Sequence, residues 1–277
     1  MRRETWAMLR AELFQLRKRT STWVLLGIWA AMGLFFGYVL PYLIETPDGA
    51  GAGPVAGLLP ERMIGEVVSG FPFYGGAIAI MLGVLSVGSE FGWGTFKTLF
   101  TQRPGRGAVI GAKLGALAVM LLPFVLVSFA IGGVASSLIA LREGYAIDFG
   151  SMGDLVLAIL AGWMILAVWA SVGVLLAVAT RGTSLAIGIG IIWALVIEGL
   201  LGVFVESVSW LEWVNSVMLR SNAYSLVEPL GGGTEGDGPG AYTGPYVDPG
   251  QALLMLSLLM VVSLGISLAL MTRRDVA

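Results

Sequence analysis

Six apolar stretches near twenty residues long recur along the chain, at 22–44, 71–89, 114–141, 155–180, 184–205 and 251–272. About twenty helical residues, each rising 1.5 Å, cross roughly 30 Å of hydrocarbon, so each stretch predicts a membrane-spanning helix. Only the fifth holds an ionisable side chain, Glu198. The third and fourth exceed the minimum length and are expected to tilt or to run beyond the bilayer. Pro123 removes one backbone donor from the third and predicts a kink there. Ahead of the first span, Trp6, Leu9, Leu13 and Leu16 recur at helical spacing, while Glu12, Gln15, Lys18 and Arg19 point elsewhere and Arg10 and Arg17 edge the stripe. This pattern predicts an amphipathic helix over 1–21 on the inner membrane surface; a bare, positively charged topology anchor is the alternative. Between the fifth and sixth spans, Trp210, Leu211, Trp213, Val214, Val217 and Met218 predict an interfacial helix within an outer segment 206–250, and the Gly- and Pro-rich 231–250 predicts irregular chain. A short outer helix is expected over 58–70 after Pro60. The expected fold class is an all-α membrane protein, one transmembrane domain over 1–277.

Composition removes the soluble alternative. Hydrophobic residues are 57% of the 277 and charged residues 12%, with a mean hydropathy of +0.87, against roughly 45–50% and about 25% in soluble domains. The chain has no Cys and no His, which removes disulfides, thiol nucleophiles, Ser-His-Asp chemistry and most zinc, copper and haem sites. No catalytic residue and no metal site is expected. Thirteen of the sixteen Lys and Arg fall before the first span, between spans two and three, between four and five, and after the sixth. Thirteen of the eighteen acids fall in the other connections. Loops rich in Lys and Arg stay in the cytoplasm, so both termini are expected there, with the chain in the cell membrane as a multi-pass protein. The first span is too long for a signal-peptide core and is expected to be retained.

The loop between spans two and three, 90–113, carries the densest pattern. It reads Glu90-Phe91, then Gly94-Thr95-Phe96-Lys97, Leu99-Phe100, Arg103-Pro104-Gly105-Arg106, and Lys113 at the entrance to the third span. Thr95 suits an N-cap, Phe96, Leu99 and Phe100 share one helical face, and Pro104 stops the turn. So short a helix does not stand alone in water and needs a partner for its apolar face.

These residues resemble the membrane-spanning permease of type-2 ABC transporters. Members carry an acid and aromatic, Gly-Thr, a Leu-rich turn, then Pro, a small residue, Arg, and a Lys. Here those positions are Glu90, Phe91, Gly94, Thr95, Leu99, Pro104, Gly105, Arg106 and Lys113, with Gly105 where Ser is common and Phe100 where Leu is common. The resemblance extends to a basic amphipathic helix, six spans, a short turn at Arg181 and a large outer segment before the last span. It implies the type-2 exporter permease fold, with 90–113 as a coupling helix seated on a separate cytosolic ABC ATPase. Phe96, Lys97, Phe100 and Arg103 then belong to the contact with the others. It also implies a second permease subunit, with a homodimer favoured, and ATP and Mg bound by the partner. The chain has no G-x-x-x-x-G-K-[ST] phosphate cradle, so it is expected to be no enzyme by itself and to need no cofactor. Membrane lipid is an expected partner and nucleic acid is not.

Two questions stay open at this level. Glu198 lies beyond the midplane of its span, and a structural role and a place in the transport pathway weigh equally, since acids within spans cost about 2.5–3.5 kcal/mol and are retained for a reason. The expected function is export of an amphipathic, lipid-like, drug or peptide substrate. The rivals are a secondary transporter or channel, for which one acid makes a poor proton relay, and a non-transporting membrane anchor or immunity protein.

Overall fold

The computed structural model describes residues 2–45, 55–93, 106–205, 210–233, 242 and 246–273. Among these residues no strand occurs, and six helices are long and apolar enough to cross a membrane. Helix α1 (Arg2–Lys18) precedes α2 (Thr20–Ile44), α3 (Pro60–Phe91), α4 (Arg106–Glu143), α5 (Met152–Thr180) and α6 (Ser184–Leu201). Two short helices, α7 (Trp210–Val217) and α8 (Leu219–Val227), lead to α9 (Pro249–Arg273).

The chain turns from α1 into α2 at Arg19, whose backbone is extended. The last carbonyls of α1 find partners across the turn: the Thr22 hydroxyl donates to Leu16 at 3.0 Å and the Trp23 indole to Arg17 at 2.8 Å. The helix expected over 1–21 therefore exists. Its stripe is spent on protein, however, because Leu9, Leu13 and Leu16 pack on Ala116 and Met120 of α4. Trp6 and Phe14 stay exposed.

The second span starts earlier than the charge-free run suggests. Residues 58–70, expected as a separate outer helix, and the span 71–89 join into α3, with a π-helical turn at Phe71–Gly75 at the junction. Further π-helical turns occupy Phe35–Val39 of α2 and Ile192–Ile197 of α6. The third span continues through Pro123 as one helix of 38 residues.

Packing centres on α3 against α5. Lipid supplies little hydrophobic drive between helices, so close backbone approach through small residues carries such contacts. A Cβ on Gly83 would stand 2.0 Å from the Ala170 carbonyl oxygen, and one on Gly173 would stand 2.3 Å from that of Ile80. Trp29 and Trp169 are buried beside this seam. Trp29 donates to the Phe124 carbonyl at 2.9 Å and the Ser128 hydroxyl at 2.7 Å. Serines within the spans mostly bond their own helix: Ser128 to Phe124, Ser137 to Gly133 and Ser171 to Val168. Ser171 also meets Ser263 of α9 at 2.6 Å.

Candidate functional site

Two polar constellations interrupt this apolar bundle, one at each end. At the end where α1 lies, Lys113 sits two turns into α4 with 3% of its side chain exposed. Its Nζ donates to Glu90 Oε1 at 2.9 Å and to Glu12 Oε2 at 2.8 Å. Glu90, in the last turn of α3, is equally buried and also accepts from Gln15 Nε2 at 3.4 Å. The Arg19 guanidinium donates to the Leu85 carbonyl and feels both acids. Burial pulls its pKa below the ordinary value, and Glu90 and Glu12 offset part of that fall. Among the described residues two cations and two acids from α1, α3, α4 and the α1–α2 turn thus come together, opposite charges offsetting one another, which lowers the cost of burying them.

Of the residues singled out in 90–113, the structure brings Glu90 and Lys113 together and packs Phe91 partly buried against the core. Arg106 opens α4. Gly94, Thr95, Phe96, Lys97, Leu99, Phe100, Arg103, Pro104 and Gly105 lie outside the described residues. The pairing changes the meaning of the two motif charges. Glu90 and Lys113 face one another rather than outward, so they tie the two ends of the loop to each other and to α1. Glu12, Gln15 and Arg19 complete the cluster and were not singled out, although Glu12 and Gln15 share one helical face and their own turn leads to Arg19.

At the opposite end, Glu198 follows directly on the π-helical turn of α6 and is 4% exposed. Its Oε1 accepts from the Trp193 indole at 2.9 Å, and its Oε2 accepts from the Arg220 backbone N–H at 2.6 Å. The N–H of Leu219 points at it as well. These are the first turn of α8, whose own N-cap residue, Met218, has no side-chain oxygen to offer. Glu198 is therefore a cap supplied from another helix, with a carboxyl oxygen at the positive end of the α8 dipole. The Arg220 guanidinium lies over the rings of Phe73 and Tyr224, at 5.9 and 5.7 Å.

Of the stretch 231–250 expected to be irregular, 234–241 and 243–245 lie outside the described residues, and the described residues around α8 bond to one another. Asn215 donates to the Tyr242 hydroxyl at 2.7 Å, which donates to Ser221 at 2.8 Å, and Tyr224 stacks on Tyr242 with centroids 4.7 Å apart. Burial raises the Tyr242 pKa, keeping its hydroxyl a donor. The expected interfacial helix is present as α7, with Trp213 exposed and Asn215 buried. Met218, counted with it, instead stands at the N-cap position of α8 without capping it.

Among the described residues no group of three His, Cys, Asp or Glu is placed to hold a metal ion. Residues 35–277 match a family described as protein of unknown function (DUF2705), and the chain belongs to that family. No curated protein matches the chain.

Proposed function

We propose that the chain is the membrane-spanning subunit of an ATP-driven exporter and that segment 90–113 receives force from a separate cytosolic ATPase. The observation that carries this reading is the Glu90–Lys113–Glu12 cluster. A loop that only links two spans has no need of a buried ion pair closing its base, and such a pair is costly unless it fixes geometry. With its ends clamped, a push on 94–105 moves α3, α4 and α1 together rather than being absorbed by a slack connection. The Gly94-Thr95 start, the Pro104 stop and the shared face of Phe96, Leu99 and Phe100 support a short docking helix at the tip of that clamp. The distribution of Lys and Arg supports a cytoplasmic position for it and for both termini. A type-2 ABC permease arrangement, pairing with a second permease subunit and ATP bound by the partner complete the proposal.

The test is co-expression with the product of any neighbouring reading frame that encodes a P-loop ATPase. The expected result is a stable complex whose ATP hydrolysis changes when the membrane subunit is present. No complex with any such ATPase, or hydrolysis indifferent to this chain, contradicts the proposal.

A further inference from the structure

A cleft of about 60 Å³ opens between α2, α3 and α4, towards the end away from α1. Three features set it apart from a packing defect. First, its walls are aromatic: Trp29, Phe36, Phe73 and Tyr74 form a chain of rings in which Trp29 and Tyr74 are 4.9 Å apart and Phe73 and Tyr74 are 5.7 Å apart. Second, an acid lines it. Glu66 belongs to the membrane-length helix α3, and its Oε1 lies 3.4 Å from where a Cβ on Gly37 would stand. Third, Tyr38, a residue 3% exposed, contributes to the lining, and its hydroxyl has no hydrogen-bond partner among the described residues. An unsatisfied buried hydroxyl is costly, and a bound ligand is one way to satisfy it.

The backbone is built around this space. Gly33 and Gly37 of α2 present no side chain, and the Tyr74 hydroxyl lies 3.2 Å from the Cβ position of Gly33. Both π-helical turns nearest the cleft, Phe35–Val39 and Phe71–Gly75, contribute to its lining. Such turns widen a helix locally and are frequent at functional sites. The Arg220 guanidinium sits over Phe73 and interacts electrostatically with Glu198.

We propose that this cleft binds the head group of an alkylammonium ion, with Glu66 as counter-charge and the alkyl chain leaving past Phe36 and Phe73 into lipid. Aromatic faces attract organic cations, most strongly when desolvated. A carboxylate within hydrocarbon depth is retained when it pairs with charge or serves a pathway. A bare metal ion would want several oxygen ligands, whereas most of this lining is carbon. Phe36 and Phe73 are only partly buried, which leaves the mouth open on the side where a chain can pass.

The inference concerns binding by this chain alone and does not rest on the ATPase reading. Its test uses the full chain in lipid nanodiscs, without an ATPase, and radiolabelled dodecyltrimethylammonium as the probe. The expected result is saturable binding above that of empty nanodiscs, displaced by octylammonium but not by octanol. Glu66→Gln is expected to weaken it at least tenfold. Ala30→Leu, which fills the cleft without touching the acid, is expected to do the same, while Glu61→Gln, an exposed acid on the same helix, leaves it unchanged. Absence of a saturable component, equal displacement by octanol, or Glu66→Gln and Ala30→Leu variants binding as the wild type each overturn the proposal.

Discussion

Lys113 Nζ and Glu90 Oε1 stand 2.9 Å apart with both side chains 97% shielded from solvent, and Glu12 Oε2 holds the same ammonium from a third helix at 2.8 Å. Three separate helices thus meet on one cation at the base of the loop that the sequence marks as its most informative segment.

Removing that cation leaves two acids with Arg19 as their remaining cation among the described residues. Lys113→Met is therefore expected to cost about 3–5 kcal/mol, the range for stripping one member from a buried pair. Lys113→Met combined with Glu12→Gln leaves Glu90 balanced by Arg19 and is expected to recover most of the loss. Thermal unfolding in a fixed detergent, followed for the single and double variants, checks both. A single variant as stable as the wild type contradicts the cluster.

Both oxygens of Glu198 accept hydrogen bonds, from Trp193 and from the Arg220 backbone. Glu198→Gln must turn an NH2 towards one of those donors, so it is expected to lose about 1–3 kcal/mol despite its matching shape. Glu198→Leu loses both bonds and is expected to lose more. Thermal stability in the order wild type, Gln, Leu is the predicted reading, and Gln equal to wild type contradicts it.

The seam between α3 and α5 has no room for a methyl group at Gly83 or Gly173. Gly83→Ala and Gly173→Ala are each expected to destabilise the fold by about 1–3 kcal/mol through overpacking. Gly27→Ala and Gly188→Ala, where nothing lies within 4 Å of the new Cβ, are expected to be neutral or slightly stabilising. The same unfolding assay compares the four, and equal behaviour of the two pairs contradicts the seam.

Orientation follows from charge. With no native Cys, single Cys at Gly105 and Gly236 are expected to react with an impermeant maleimide in intact cells only at 236. Labelling at 105 contradicts the placement of the coupling loop in the cytoplasm.

Six membrane-length helices were legible because length and apolarity are local properties. What escaped was whatever depends on a charge inside a helix or a partner far along the chain. Glu66 broke the hydrophobic run, so 58–70 read as a separate outer helix and the acid as a loop residue, whereas α3 passes straight through it. The partner of Glu198 is a backbone N–H 22 residues later, and a backbone donor leaves no mark in a sequence. The Glu90 and Lys113 positions stood out by motif, but their mutual pairing across 23 residues distinguishes a clamp from an outward-facing contact only in three dimensions. The leucine stripe of α1 predicts burial of one face without saying that α4 covers it.

The central claim is that a clamped 90–113 loop couples this chain to an ATPase, and the most direct measurement is on its tip. The double variant Phe96→Ala/Phe100→Ala, co-purified with the neighbouring P-loop ATPase and compared with Lys97→Ala, isolates the apolar face, since a lone surface charge contributes on the order of 0–1 kcal/mol. The account predicts a folded membrane subunit that loses the ATPase, or no longer alters its hydrolysis, in the double variant, while Lys97→Ala behaves as wild type. Full complex yield with wild-type hydrolysis in the double variant contradicts it.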